Sequence, residues 1–165
     1  SFSFLSLGSS TLTGAIKSQR TGAIEASGGG HLIKAQGPLV SDLSNPFIPT
    51  GDLTITLGTA SQQVVITVPL AALKQTGSGS GSILTYTPAQ QEVAELKKFQ
   101  ISNKARKFVL STNELTGTGI PAVGSGILEF ELPIAFDAAT AEGNIHLATT
   151  VQIKRSSDSS KVWKR

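Results

Sequence analysis

Few side chains in this sequence could do chemistry, and their spacing decides what kind. His31 and His146 are the only histidines, and no cysteine accompanies them. Two imidazoles and a carboxylate can hold a zinc ion, but zinc sites take their ligands at short, regular spacings that this pair lacks. Both read instead as partly exposed strand residues. Glu129 and Glu131 stand on either side of Phe130. On a strand they would share a face with side chains about 7 Å apart, a separation compatible with the carboxylate pair of a glycosidase. An amphipathic strand also shows alternate glutamates to water for no catalytic reason, and that is the preferred reading. The serines of 77–82 form no Gly-x-Ser-x-Gly and lack the strand-turn-helix setting of a nucleophile elbow. Gly117, Gly119 and Gly124 miss the dinucleotide-binding spacing. Asp42, Asp52, Asp137 and Asp158 are too scattered for a calcium loop. The chain is therefore not read as an enzyme, and no catalytic residue, metal, cofactor or small-molecule substrate is expected.

The basic side chains cluster more tightly. Lys97, Lys98, Lys104, Arg106 and Lys107 form one group, and Lys154, Arg155, Lys161, Lys164 and Arg165 a second. With Tyr86, Phe99 or Trp163 nearby, the first group is a candidate patch for an anionic polymer, either a surface polysaccharide or single-stranded nucleic acid. The competing explanation is that lysine and arginine guard strand edges against edge-to-edge pairing. A net charge of only +3 makes nucleic acid the less expected partner.

These residues must be positioned by strands. In 127–136, Leu128, Phe130 and Leu132 alternate with Glu129, Glu131 and Pro133. That period of two marks a half-buried strand and excludes a helical stripe. The same alternation runs through 31–36, 52–57, 64–68, 82–87, 99–102, 107–111 and 145–154. The repeated Thr-Gly-Ala-Ile at 13–16 and 21–24 predicts a small hairpin. Residues 76–82 are a Gly/Ser linker. Only 88–98 resembles a helix: Thr87 as cap, Pro88 at the first position, Gln90 at the third, and an apolar stripe of Val93 and Leu96. Ile48-Pro49 and Ile120-Pro121 each precede an alternating strand, which predicts two pseudo-repeats packed as two sheets. The fold class expected is all-β, a β-sandwich of two packed antiparallel sheets, Ig-like or jelly-roll-like, with one short helix near 88–98.

The runs PFIPTGDLTITLG at 46–58 and RKFVLSTNELTGTGIP at 106–121, with the closing hairpin that ends Trp163-Lys164-Arg165, resemble poorly characterised secreted β-repeat proteins of environmental bacteria, including planctomycetes. The resemblance implies an extracellular all-β module and transfers no functional residue.

The absence of methionine and the start Ser-Phe-Ser-Phe predict removal of a signal peptide, hence an extracellular or cell-surface protein. No apolar run approaches the roughly 20 residues of a membrane-spanning helix. Domain boundaries are expected at 1–13, an N-terminal strand and hinge, and 14–165, a single β-sandwich. Phe2, Phe4, Leu5 and Leu7 would each gain about 1.5–3 kcal/mol on burial. They form a candidate donor strand that either completes its own sheet or crosses into a neighbouring subunit. Repeated head to tail, that contact builds an open filament. The expected function is a secreted structural protein, a filament or surface-layer subunit that self-associates by strand exchange. The alternative is a monomeric extracellular module that binds glycan or another surface polymer.

Overall fold

The computed structural model describes residues 12–18, 30–39 and 46–165. Among these residues, alternating sequence becomes eleven strands: β1 (Thr13–Ser18), β2 (His31–Pro38), β3 (Leu53–Gly58), β4 (Gln63–Val68), β5 (Leu73–Thr76), β6 (Ile83–Tyr86), β7 (Leu96–Ser102), β8 (Lys107–Thr112), β9 (Glu129–Thr140), β10 (Gly143–Lys154) and β11 (Val162–Lys164). The hairpin β9–β10 is the longest. Leu132, Ile134, Phe136 and Ala138 face inward opposite Val151, Thr149, Leu147 and Ile145, and the residues between them face out.

All strands join one antiparallel sheet in the order β4-β3-β9-β10-β11-β1-β2-β8-β7-β6-β5. The two edge strands, β4 and β5, are consecutive in the chain, joined through the 3-10 turn Leu70–Ala72. Laid flat, eleven strands would span about 48 Å at 4.8 Å per step. The five residue steps from Val68 to Leu73 reach about 18 Å at most. The sheet must therefore curl until its edges approach, and it forms a nearly closed barrel. Side chains fill the interior. Phe136 on β9 meets Phe99 on β7 and Phe108 on β8 edge-on, with ring centroids 5.2 and 5.1 Å apart, so opposite walls touch at the centre.

The expectation of two packed sheets is corrected to this single sheet. A period of two reveals which face is buried, but not whether facing walls belong to the same ladder. The join is the short strand β11, which pairs with β10 at Lys154↔Lys164 and with β1 at Ala15↔Lys164, Ile16↔Trp163 and Lys17↔Val162. Next to it a side chain at Gly14 would approach Val151 Cγ1 to 3.1 Å, so glycine lets β1 come close to β10. The proposed pseudo-repeats do not stack face to face either. The hairpins β3–β4 and β9–β10 lie side by side through the β3–β9 pairing, Ile55 opposite Phe136.

The helix expected at 88–98 is absent. Thr87 O accepts from the amides of Gln90 and Gln91, which gives one turn and no more. Tyr86 Oη accepts from Val93 N at 2.7 Å, and from Leu96 onward the chain pairs with β8. Two apolar residues are too weak a stripe to compete with a full ladder of sheet hydrogen bonds.

Candidate anion-binding groove

The outer face of β1, β2, β8 and β7 alternates low and high positions from strand to strand. Register places Ala15 beside Lys34, Lys34 beside Ser111, and Ser111 beside Lys98. Small side chains thus alternate with lysines across four strands. The result is a groove of about 490 Å³ with Ala15 and Ser111 on its floor and Lys34, Lys97, Lys98 and Gln36 among its walls. Ser111 is only 9% exposed although it lies on the outer face.

A local irregularity completes the groove. A regular strand would turn Lys98 inward. The β7–β8 register slips between Leu96 and Lys98, so Leu96 and Phe99 both face the core while Lys97 and Lys98 are both exposed. A bulge re-aims side chains in this way, and the alternative, an ammonium in the barrel core, would cost several kcal/mol.

The groove's chemistry follows from its lining. Three ammonium groups, each with three donors, stand over the small side chains of Ala15 and Ser111, and among the described residues no Asp or Glu lines the groove. A concave surface of one charge sign over a low-dielectric wall focuses its field on an incoming anion.

The basic patch read from sequence is thereby divided. Lys97 and Lys98 line the groove. Lys104, Arg106 and Lys107 sit at the β7–β8 turn, about 13 Å along β8 from Ser111 to Lys107. That turn is fixed by Asn103, whose Oδ1 accepts from Phe47 N at 2.9 Å and whose Nδ2 donates to Phe47 O and to Ser82 Oγ. Arg106 adopts the left-handed region, φ +55. Lys34 is remote in sequence from either cluster and joins the groove only through strand pairing. The alternation in 31–36, which turns Lys34 and Gln36 to the same outer face, was the available signal.

The aromatic rings do not serve as platforms. Phe99 is in the core. Tyr86 is buried and its hydroxyl also donates to Val93 O. Trp163 is buried beneath Arg155, whose guanidinium lies 4.5 Å from its ring centroid, and Phe130 meets it edge-on at 4.7 Å. Arg155 Nε donates to Ile127 O at 2.8 Å, and Nη2 donates to Ala122 O, Ser125 Oγ and Asp158 Oδ1. This second-cluster arginine is an anchor inside the fold. Lys164, from the same cluster, joins the outer row that contains the groove.

The remaining candidates are placed as follows. Glu129 pairs with Lys154 at 3.5 Å, and Glu131 accepts from Gln152 at 3.2 Å, both on the exposed face of β9–β10. His146 Nδ1 contacts Asp137 Oδ1 directly across the same hairpin. His31 opens β2 and exchanges backbone hydrogen bonds with Leu115, and burial lowers its pKa below the usual 6.5. Among the described residues no three His, Asp or Glu side chains gather as a metal site. Phe2, Phe4, Leu5 and Leu7, and the second Thr-Gly-Ala-Ile copy, lie outside the described residues. Among the described residues no helix is long and apolar enough to cross a membrane. No protein-family model, curated protein or solved structure matches this chain.

Proposed function

We propose that this protein is a binding module for an anionic polymer, an acidic polysaccharide of the cell surface or its surroundings, held in the groove between Lys34 and Lys97–Lys98. The bulge in β7 carries this reading. It directs two consecutive lysines into a concavity with no carboxylate in its lining among the described residues. Burial of Tyr86, Phe99 and Trp163 disfavours single-stranded nucleic acid, whose binding sites stack bases on exposed rings.

The test is a charge-reversed double variant, Lys34→Glu with Lys98→Glu, titrated with hyaluronan and polygalacturonate at low and high salt. Each reversal replaces an attraction by a repulsion, so the pair should weaken binding at least tenfold, by about 1.5 kcal/mol or more. Wild-type affinity should itself fall with salt. Unchanged binding by the double variant, or no binding of any polyanion by the wild type, sinks the proposal.

A second reading, assembly by strand addition, is favoured by the edges β4 and β5, each of which pairs on one side only among the described residues. Removing residues 1–7 and measuring oligomeric state by sedimentation tests it. Assembly that survives the deletion rules out those residues as the donor.

A further inference from the structure

The groove is one part of a longer row. On the outer face the register runs from Glu129 to Lys154, Lys164, Ala15, Lys34, Ser111 and Lys98, one residue from each of seven adjacent strands. Lysine recurs with a single small residue between: Lys164, then Ala15, then Lys34, then Ser111, then Lys98. Adjacent strands lie about 4.8 Å apart, so the backbone positions of these lysines recur at about 10 Å around the curved wall, about the length of two linked sugar rings. At one end Lys154 is engaged by Glu129 at 3.5 Å, which closes the row with a negative charge. At the other end the bulge doubles the charge by adding Lys97 to Lys98.

Resting on the polysaccharide reading above, we infer that the ligand is a linear glycan with a carboxylate on every second ring, laid perpendicular to the strands with successive carboxylates at Lys98, Lys34 and Lys164. Ala15 and Ser111 leave the intervening uncharged rings room to lie close to the sheet. A polymer charged at every unit matches the row poorly. Phosphates of a duplex strand recur about every 3.4 Å of helix rise, so most would have no cation opposite them. Polygalacturonate, with a carboxylate on every ring, leaves alternate carboxylates over Ala15 and Ser111. Sequence clustering hid this arrangement, because its three lysines come from the beginning, middle and end of the chain and only pairing through β11 brings them into line.

Size-defined hyaluronan oligosaccharides, with a carboxylate on alternate rings, are the probes. Affinity should rise from disaccharide to tetrasaccharide to hexasaccharide as one, two and three lysines engage, and should change little for an octasaccharide. Lys164→Ala, an exposed position, should weaken the hexasaccharide about two- to fivefold while leaving the tetrasaccharide within error. Circular dichroism of the variant confirms its fold. Equal hexasaccharide affinity for wild type and Lys164→Ala, with Lys34→Ala and Lys98→Ala both weakened, overturns the row and leaves the groove standing. Tighter binding of polygalacturonate or oligo-dT than of length-matched hyaluronan overturns the alternate-ring assignment. Failure of every polyanion overturns the groove reading as well.

Discussion

Arg155→Ala tests what holds the barrel's join together. The guanidinium side chain is fully buried, and its Asp158 partner is 42% exposed. Removing one member of a buried charge pair costs about 3–5 kcal/mol. Water can reach the abandoned Asp158 carboxylate, so solvent screening places this pair near the lower end, about 3 kcal/mol. Loss of the cation–π contact with Trp163 adds about 1 kcal/mol. The total of about 4 kcal/mol is a large part of a typical domain's 5–15, and at 2–4 °C per kcal/mol it lowers Tm by about 8–16 °C. Scanning calorimetry reads the shift. Trp163, the only tryptophan, reports locally, since its emission should move to the red as its cover is lost. Arg155→Lys should fall between the two, because a single ammonium cannot reproduce the planar fork that reaches Ile127, Ala122 and Asp158 together. A Tm within 3 °C of wild type with unchanged tryptophan emission would show that the fold does not depend on this anchor, and the role assigned to Arg155 would be wrong.

Two further perturbations follow from local geometry. Arg106→Gly relieves a left-handed backbone at the β7–β8 turn by up to about 1 kcal/mol, which offsets the loss of the interaction Arg106 makes, so the urea midpoint should move little; because the turn lies away from the groove, polyanion affinity should change less than for Lys98→Ala, and the reverse ranking contradicts the divided patch. His31 has a pKa lowered by burial, so the folded state favours the neutral ring. Its contribution to stability is full above the unfolded value near 6.5 and is lost as pH falls from there through the lower folded value. Urea midpoints at pH 7.5 and 5.5 should therefore differ more for wild type than for His31→Gln, and equal differences would refute it.

Much of the fold is legible in the sequence because alternation is local. Strands β3, β4, β8 and β10 fall within a residue or two of their alternating segments, β9 runs four residues beyond its own, and the class is all-β as expected. What alternation lacks is any record of pairing partners. Nothing in Val162-Trp163-Lys164 announces that three residues will stitch β10 to β1 and turn two walls into one sheet. The helix expected at 88–98 fails for a related reason. Its cap residues are real local signals, but the competing ladder with β8 is set by residues that a local window cannot see. At the groove, the Lys97-Lys98 pair is visible in sequence, whereas the bulge that turns both outward depends on Leu96 and Phe99 each finding the core. Lys34 and Lys164 become neighbours of that pair only through tertiary register.

The position of β11 also sets an order of events in folding. The β9–β10 and β7–β8 hairpins can form from nearby sequence, but Ala15 cannot meet Lys164 until the last strand of the described chain is present. Contacts of such sequence separation are slow to form because the intervening loop must be closed first. During synthesis the two walls would therefore wait as open-edged half-sheets, with β1 and β10 exposed to other chains. The Gly/Ser-rich, low-charge sequence thus has its greatest aggregation hazard before β11 emerges. A chain cut short of Trp163 should be caught by chaperones or precipitate, even though it would retain the strands whose side chains form the aromatic centre of the core.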